Sequence, residues 1–273
     1  MLMRAMVLLS LGVTACAHTP LSSGTLDRIA RPAFVSRIEE GAGPKATVFR
    51  DDSSYGGKLK KLEPKEADRR LQLKLAKGVI EGDHVVVPSI TRFEVADALR
   101  ANTLALLPRD QPWATVVDPV AVAGALESFL VEEVPANPPD FELLKPLGAD
   151  AVLEFVIEDY GMRSDGGRAG VYLEGYGRLF FLEGGGNKWF RSFRLDDIDS
   201  GQPHLDPFKV AKDPGLFRDR LTAAIKAVAE VFAKDLTPPE RRAGGNFVPR
   251  GNDEQTAPKR LEKKNDHADD LPE

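Results

Sequence analysis

Side chains able to catalyse a reaction or bind a metal are sparse in this chain of 273 residues. The densest group lies at 196–206 and comprises Asp196, Asp197, Asp199, His204 and Asp206. Carboxylate oxygens suit Ca²⁺, but the glycine here comes one residue too early for an EF-hand loop and no glutamate closes it. We therefore expect a solvated turn after a hairpin, with a calcium site as the alternative.

No other pattern in the sequence is typical of a catalytic or metal centre. The remaining histidines, His18, His84 and His267, are scattered, and the metalloprotease, nucleophile-elbow and phosphate-loop motifs are absent. Glu154 and Glu158 share one face of a predicted strand at a separation of about 13 Å, too far for a glycosidase pair. We expect them on a solvated sheet face, and we predict no catalytic residue, no metal and no cofactor.

The only cysteine, Cys16, follows a basic start and a short apolar run. Arg4 precedes AMVLLSLGV at residues 5–13, and small residues then lead to Cys16. This order is typical of a secretory signal peptide, and the run is shorter than the roughly 20 residues that span a bilayer. The sequence predicts a signal peptide at 1–15. An ordinary signal peptide with an incidental cysteine is the alternative.

The four residues that span the predicted cut, Val13-Thr14-Ala15-Cys16, resemble the lipobox of bacterial lipoproteins. The resemblance implies that the Cys16 thiol is diacylated, that the chain is cut just before it, and that the new amino terminus is acylated. Three acyl chains would anchor the protein in effect permanently. In that family an aspartate directly after the cysteine retains the protein in the inner membrane. Ala17 stands there, which implies the outer membrane.

Composition narrows the class of partner. Hydrophobic residues make up 42% and charged residues 29% of the chain, as in ordinary globular proteins. The net charge of −5 argues against nucleic acid, whose partners carry basic patches. The partners we expect are a membrane, through lipid on Cys16, and either another envelope protein or further copies of this chain.

The chain divides into three parts after the signal peptide. Residues 16–32 are polar with proline and glycine, which predicts a lipidated cysteine and a flexible tether. Residues 33–240 carry the apolar patterning of a single domain. Residues 241–273 are charged and almost free of large apolar side chains, which predicts a disordered tail.

Helix-capping residues, prolines, glycines and the spacing of apolar residues predict the helices and strands that position these residues. Helices are expected after Pro64, Thr91, Asp118, Asp140 and Asp213, and strands at 46–49, 84–87, 114–117, 151–160 and on both sides of the hairpin signal at 184–187. In the last helix an apolar stripe is expected to face the sheet; it comprises Phe217, Leu221, Ile225, Val228 and Phe232. The result is an α+β two-layer sandwich, a mixed sheet with helices on one face and a long C-terminal amphipathic helix.

Aromatic residues of the predicted hairpin fall on one parity, with Tyr172, Tyr176 and Phe180 in one arm and Phe190 in the other. Because Leu173, Leu179 and Phe181 occupy the opposite parity, both faces carry large apolar groups. We expect burial on both faces, with exposure of one face to a partner as the alternative.

The segment LLKPLGADAVLEFVIEDYG, with Gly148-Ala149-Asp150 before the strand, leads to a hairpin ending in NKWFRSFRL and to a long terminal helix. This order resembles periplasmic lipoproteins of the LpoB, PelC and CsgG type, whose common module is similar to an anticodon-binding domain. The resemblance spans roughly residues 85–236. It implies a non-enzymatic binding or assembly module of the cell envelope.

Two other functions stay open at this point. An envelope hydrolase with an unrecognised site would show a concave pocket with convergent polar groups. A small-ligand carrier would show an enclosed apolar cavity, whereas a binding module would show an apolar patch or an open strand edge.

Overall fold

The computed structural model describes residues 18–59, 61–81, 84–87, 89–126 and 139–238. The predicted signal peptide, Cys16 and the predicted tail at 241–273 lie outside these residues. Among the described helices, none combines the length and the apolar character that crossing a bilayer requires. The architecture is an α+β sandwich, as predicted, in which a mixed sheet of six strands packs against helices.

The elements follow one another in this order: β1 (His18–Thr19), α1 (Ser23–Leu26), β2 (Pro32–Ile38), β3 (Lys45–Thr47), a 3-10 helix (Ser53–Lys58), α2 (Pro64–Lys77), β4 (Val79–Glu81), β5 (His84–Val87), α3 (Arg92–Leu106), a 3-10 turn (Trp113–Thr115), α4 (Pro119–Ala125), a 3-10 helix (Phe141–Leu147), β6 (Ala151–Asp165), β7 (Arg168–Phe181), β8 (Asn187–Asp196), α5 (Pro207–Val210) and α6 (Gly215–Asp235).

The main sheet has the strand order β1-β8-β7-β6-β2. β6, β7 and β8 form an antiparallel meander, β1 pairs antiparallel with β8, and β2 pairs parallel with β6. β3 also pairs parallel with β6, farther along the strand, at Gly161 to Arg163. β1 therefore lies at one edge of the sheet, and β2 with β3 forms the opposite edge. β4 and β5 make a separate two-stranded sheet.

The inner face of the sheet, which carries Leu153, Phe155 and Ile157, packs against α3 and α6. All five residues of the predicted α6 stripe are buried, each at most 3% exposed, which confirms that prediction. The Phe232 ring stacks on Phe155 with centroids 5.3 Å apart and meets Trp189 edge-on at 5.4 Å. A Cβ on Gly177 would lie 2.5 Å from the Trp189 ring, so only glycine at this position leaves room for that indole.

Residues adjacent in sequence set the start of α3 and both ends of α2, as predicted. Thr91 and Glu94 form a complete capping box at the start of α3, where the Thr91 amide donates to Glu94 Oε2 at 2.6 Å. Pro64 opens α2, and Gly78 follows its last residue with a φ of 80°.

The predicted strand at 114–117 is wrong. Trp113 to Thr115 form a 3-10 turn, and the Val117 amide donates to the Pro32 carbonyl at 2.9 Å, outside any strand ladder. The Trp113 side chain is buried and meets Phe34 edge-on with ring centroids 6.0 Å apart. Packing of this indole on β2 therefore overrides the local preference of the β-branched residues that follow it.

Residues 18–32, predicted as part of a tether, belong to the folded domain. They include β1, α1 and the first residue of β2. Leu21, Leu26 and Ile29 are buried in the main core, at most 5% exposed. Burial of these three side chains stabilises a segment whose polar and proline-containing sequence had indicated a flexible linker.

Candidate functional site

The outer face of the sheet, opposite α3 and α6, owes its composition to a β-bulge in β6. The pairing of β6 with β7 shifts by one residue between Ile157 and Asp159. Glu154 and Val156 point to the outer face before the bulge, and Asp159 does so after it, since side chains alternate along a strand. Glu158 is the residue without a partner in the register, and it is exposed.

Glu154 lies at the centre of the outer face and is 0% exposed, so the predicted solvated position is wrong for this residue. Arg37 of β2 donates from Nε to Glu154 Oε1 at 2.6 Å, and Arg178 of β7 donates to Oε2. Each carboxylate oxygen is thus bound by a guanidinium from a neighbouring strand. Charge-assisted hydrogen bonds of this kind are what make a buried carboxylate tolerable.

Aromatic rings surround this ion cluster. The rings of Tyr176 and Phe190 stack with centroids 5.4 Å apart, and the Tyr176 hydroxyl accepts from Arg37 Nη2 at 3.2 Å. Phe180 meets Phe141 edge-on beneath the cover formed by α4 and the 3-10 helix at Phe141–Leu147. The prediction of burial on both faces therefore holds only in part, because Tyr172, Tyr176, Phe180 and Phe190 are half-buried rather than fully enclosed.

A second set of polar contacts surrounds Asp159. Lys45 Nζ donates to Asp159 Oδ2 at 2.9 Å, the Gly43 amide donates to Oδ1 at 3.0 Å, and the Tyr172 hydroxyl donates to Oδ2 at 3.1 Å. Burial, and next the charge of Asp159, raises the pKa of Tyr172. These contacts hold the loop before β3 against β6, so the carboxylate serves the fold and is not a free base.

The acidic segment after β8 forms the predicted solvated turn at Asp199 to His204, which are exposed, but it begins with two buried carboxylates. Asp196 and Asp197 are 4% and 3% exposed. Asp196 contacts Arg163 and accepts from the Ile198 amide at 2.9 Å, while Asp197 accepts from the Val171 amide at 3.0 Å. Burial raises the pKa of Asp197. Within the described part of the chain, no three histidine, cysteine or acidic side chains are grouped so that they could hold a metal ion.

A groove of about 260 Å³ runs along α2 at the edge of the sheet formed by β3. Its cations are Arg50, Lys65 and Arg69, and its apolar part includes Ala46 of β3 and Leu73, which is 41% exposed. The remaining lining residues are Asp68, Gln72 and Ala76. This groove combines an exposed apolar side chain with positive charge.

Asp68 shapes this groove from below. The Val48 and Phe49 amides donate to its Oδ1 at 2.9 Å each, and the Arg50 amide donates to Oδ2 at 3.2 Å. Asp68 is 3% exposed. These three hydrogen bonds attach the turn after β3 to α2. The sequence did not predict the groove because its lining combines side chains of α2 with those of β3 and the turn after it. β3 has only three residues, too few for apolar alternation to show which side chains share a face.

The opposite edge of the sheet begins two residues after Cys16. His18 lies opposite Arg191 and Thr19 opposite Phe190 in the pairing of β1 with β8. The predicted site of lipid attachment, Cys16, precedes the first residue of β1 by two positions in the sequence.

Comparisons with known proteins returned no matching family model, no matching curated protein and no matching solved structure.

Proposed function

We propose that this protein is a lipoprotein of the cell envelope, anchored in the outer membrane through Cys16, whose domain binds another envelope protein and does not catalyse a reaction. The observation that carries the proposal is the arrangement of the sheet edges. β1, two residues from Cys16, forms one edge, and the groove beside β3 lies at the other. An anchor at one edge leaves the opposite edge directed away from the membrane and accessible to a partner.

The chemistry of the groove selects the kind of partner segment. Lys65 favours a carboxylate, whereas the exposed Leu73 favours a small apolar side chain. Arg50 contributes less free positive charge, because its Nε already donates to Asp51 Oδ1 at 3.2 Å. Glu66 already binds Arg69 and Arg70, at 2.7 Å to the Nε of each, so these two arginines contribute less free positive charge. The segment that fits is therefore a short acidic peptide with an apolar residue, belonging to a protein of the same compartment.

The state of the outer-face carboxylates supports binding over catalysis. Both oxygens of Glu154 are bound by arginines, and those of Asp159 by a lysine, a tyrosine hydroxyl and a backbone amide. A general base needs a free lone pair directed at the substrate proton. These groups hold the sheet surface in one shape, which is what a binding module requires.

The anchor is tested by Cys16→Ser in cells supplied with labelled palmitate. We expect the wild-type protein to carry the label and to sediment with the outer membrane. The Cys16→Ser variant should carry no label and should either remain uncut or become soluble in the periplasm. A fully processed variant that stays in the membrane fraction would contradict the lipoprotein assignment.

The binding site is tested with a photo-crosslinking amino acid at Leu73 in intact envelopes. Val231 on α6 is the matched control, because the two side chains are 41% and 40% exposed. We expect a discrete crosslinked species from position 73 alone, and its loss when Arg50→Glu and Lys65→Glu are combined. Equal crosslinking from both positions would show that the groove is not the binding site.

A further inference from the structure

Strand β8 has an unusual composition for an acidic protein. Residues 187–195 contain three cations, Lys188, Arg191 and Arg194, and three aromatic residues, Trp189, Phe190 and Phe193, but no acidic residue. Trp189 and Phe193 face the core. Phe190 and Arg194 lie on the outer face, opposite Arg178 and Glu174 in the pairing with β7.

The described part of the chain begins with β1, which lies beside this strand. β1 pairs only with β8, and Thr19 is the direct neighbour of Phe190. A lipid on Cys16, two residues earlier, would enter the membrane beside the middle of β8. The side chains of β8 that reach solvent are thus the part of the domain nearest the headgroups.

We propose that the outer-face side of β8, with Phe190 and Arg194, rests on an anionic lipid surface and holds the anchored domain in one orientation. The inference rests on the proposed function, because lipid on Cys16 brings β8 to the membrane. The occupant is a lipid surface, since only Cys16 and Ala17 would precede β1 after the predicted cut, and two residues cannot hold the domain far from the bilayer.

The outer-face strip of β8, which comprises Phe190 and Arg194, has side chains that suit the membrane interface. Tyrosine and tryptophan rings are enriched at the level of the headgroups, and Tyr176 stacks on Phe190 at this surface. Arg194 is exposed, and an anionic bilayer attracts such a cation. The Phe190 ring is already held by its stack on Tyr176, so little side-chain entropy is lost on contact.

Neighbouring acids reduce the charge of the strip. Glu174 lies opposite Arg194 in the register, and Asp235 Oδ2 lies 3.5 Å from Arg191 Nη1. The strip alone would therefore bind weakly. Anchoring makes the contact intramolecular, so a weak surface interaction is enough to select an orientation.

The orientation is tested with a fluorophore attached to a single introduced cysteine. Acylation of Cys16, the only cysteine, leaves no other thiol to label. Arg194→Cys places the label on the strip, and Gln72→Cys places it in the groove at the opposite edge. Both lipidated proteins are reconstituted in vesicles of phosphatidylethanolamine and phosphatidylglycerol that contain lipids with nitroxide-bearing headgroups.

We expect the label at position 194 to be quenched and blue-shifted and the label at position 72 to be unaffected. Phe190→Glu should reduce the quenching at position 194, whereas Ala227→Glu on the exposed side of α6 should leave it unchanged. Vesicles of phosphatidylcholine alone should give less quenching. Equal quenching at the two positions, or stronger quenching at position 72, would overturn the proposal.

The same samples separate this inference from the proposed function. The mass of the N-terminal peptide reports whether Cys16 carries lipid. If it does not, the lipoprotein assignment fails, and the orientation is then measured on residues 17–273 with an N-terminal histidine tag bound to nickel-chelating lipids in the same vesicles. Quenching restricted to position 194 in that form would still support the membrane-facing strip, and its absence would overturn it.

Discussion

Arg178 lies directly opposite Glu154 in the pairing of β6 with β7, and its Nε contacts Glu154 Oε2. The bulge between Ile157 and Asp159 produces this alignment. A Cβ on Gly175 would lie 2.0 Å from the Val156 carbonyl oxygen, so glycine permits the close approach of the two strands next to the bulge. A one-residue shift in strand pairing thus brings the buried Glu154 carboxylate and the Arg178 guanidinium together.

Removing Glu154 should destabilise the fold strongly. Glu154→Ala leaves the half-buried guanidinium groups of Arg37 and Arg178 without their shared carboxylate, and breaking such a pair costs about 3–5 kcal/mol. Glu158→Ala is the control, since Glu158 is the exposed residue of the bulge and its loss should change stability by less than about 0.5 kcal/mol. Urea unfolding of both variants measures the difference, and similar midpoints would contradict a stabilising role for the cluster.

The stripe of α6 gives a second matched pair. Ile225 is 0% exposed, whereas its neighbour Lys226 is exposed. Ile225→Ala removes a buried side chain and should lower the free energy of unfolding by about 2–5 kcal/mol. Lys226→Ala should have little effect. Thermal unfolding followed by circular dichroism would argue against a core role for the stripe if both variants melted at one temperature.

Asp68 should matter far more to stability than Glu66, which lies two residues earlier on α2. Asp68→Ala leaves the amides of Val48 and Phe49 buried without an acceptor, and unsatisfied buried donors cost about 1–3 kcal/mol each. Glu66→Ala removes only surface ion pairs with Arg69 and Arg70, which contribute little to stability because water and salt screen them. Chemical denaturation compares the two; a larger loss for Glu66→Ala would refute the role assigned to Asp68.

Stability should fall at alkaline pH because the pKa values of all four tyrosines are raised in the folded protein. Burial raises the pKa of Tyr55 to about 12, and it also raises the pKa values of Tyr160, Tyr172 and Tyr176. A raised folded pKa means that the stabilisation is complete below about pH 10, the unfolded value, and is lost as the pH rises from there towards the folded value.

The phenolate absorbance should therefore rise together with unfolding and not near pH 10. Urea midpoints at pH 9, 10 and 11 would follow the loss of stability, with a slope of up to about 1.4 kcal/mol per pH unit for each tyrosine. Tyr55→Phe should show a shallower slope than wild type. Full titration of the four phenols near pH 10 in a folded protein would contradict the prediction.

Features fixed by residues close in sequence could be predicted. The capping box at Thr91 and Glu94 spans three residues, and the α6 stripe repeats every three or four, so each follows from helix geometry alone. The strands of the meander were also predictable, because alternation and the glycine-rich turns lie within short windows.

Features that depend on distant residues could not be predicted. β2 pairs in parallel with β6, more than 100 residues later, and its buried residues Ala33, Phe34 and Val35 show no alternation because both faces are covered. Counting outward from Asp165 and Arg168 pairs Glu154 with Leu179, and only the bulge brings Arg178 opposite Glu154. The ion cluster and the folded position of residues 18–32 both needed this tertiary information.

The two ends of the domain meet where His18 Nε2 lies 3.1 Å from Asp235 Oδ2, at the close of α6. In mechanical terms, a pull on an anchor at Cys16 would enter the fold through the two residue pairs of β1 and would peel them from β8 one after the other, in unzipping geometry. Resistance would rise at Leu21, just before α1, and at Leu26, the last residue of α1, because both side chains are buried. Detachment of β1 would thus release about 7 Å of extended chain while the meander of β6, β7 and β8 stays intact.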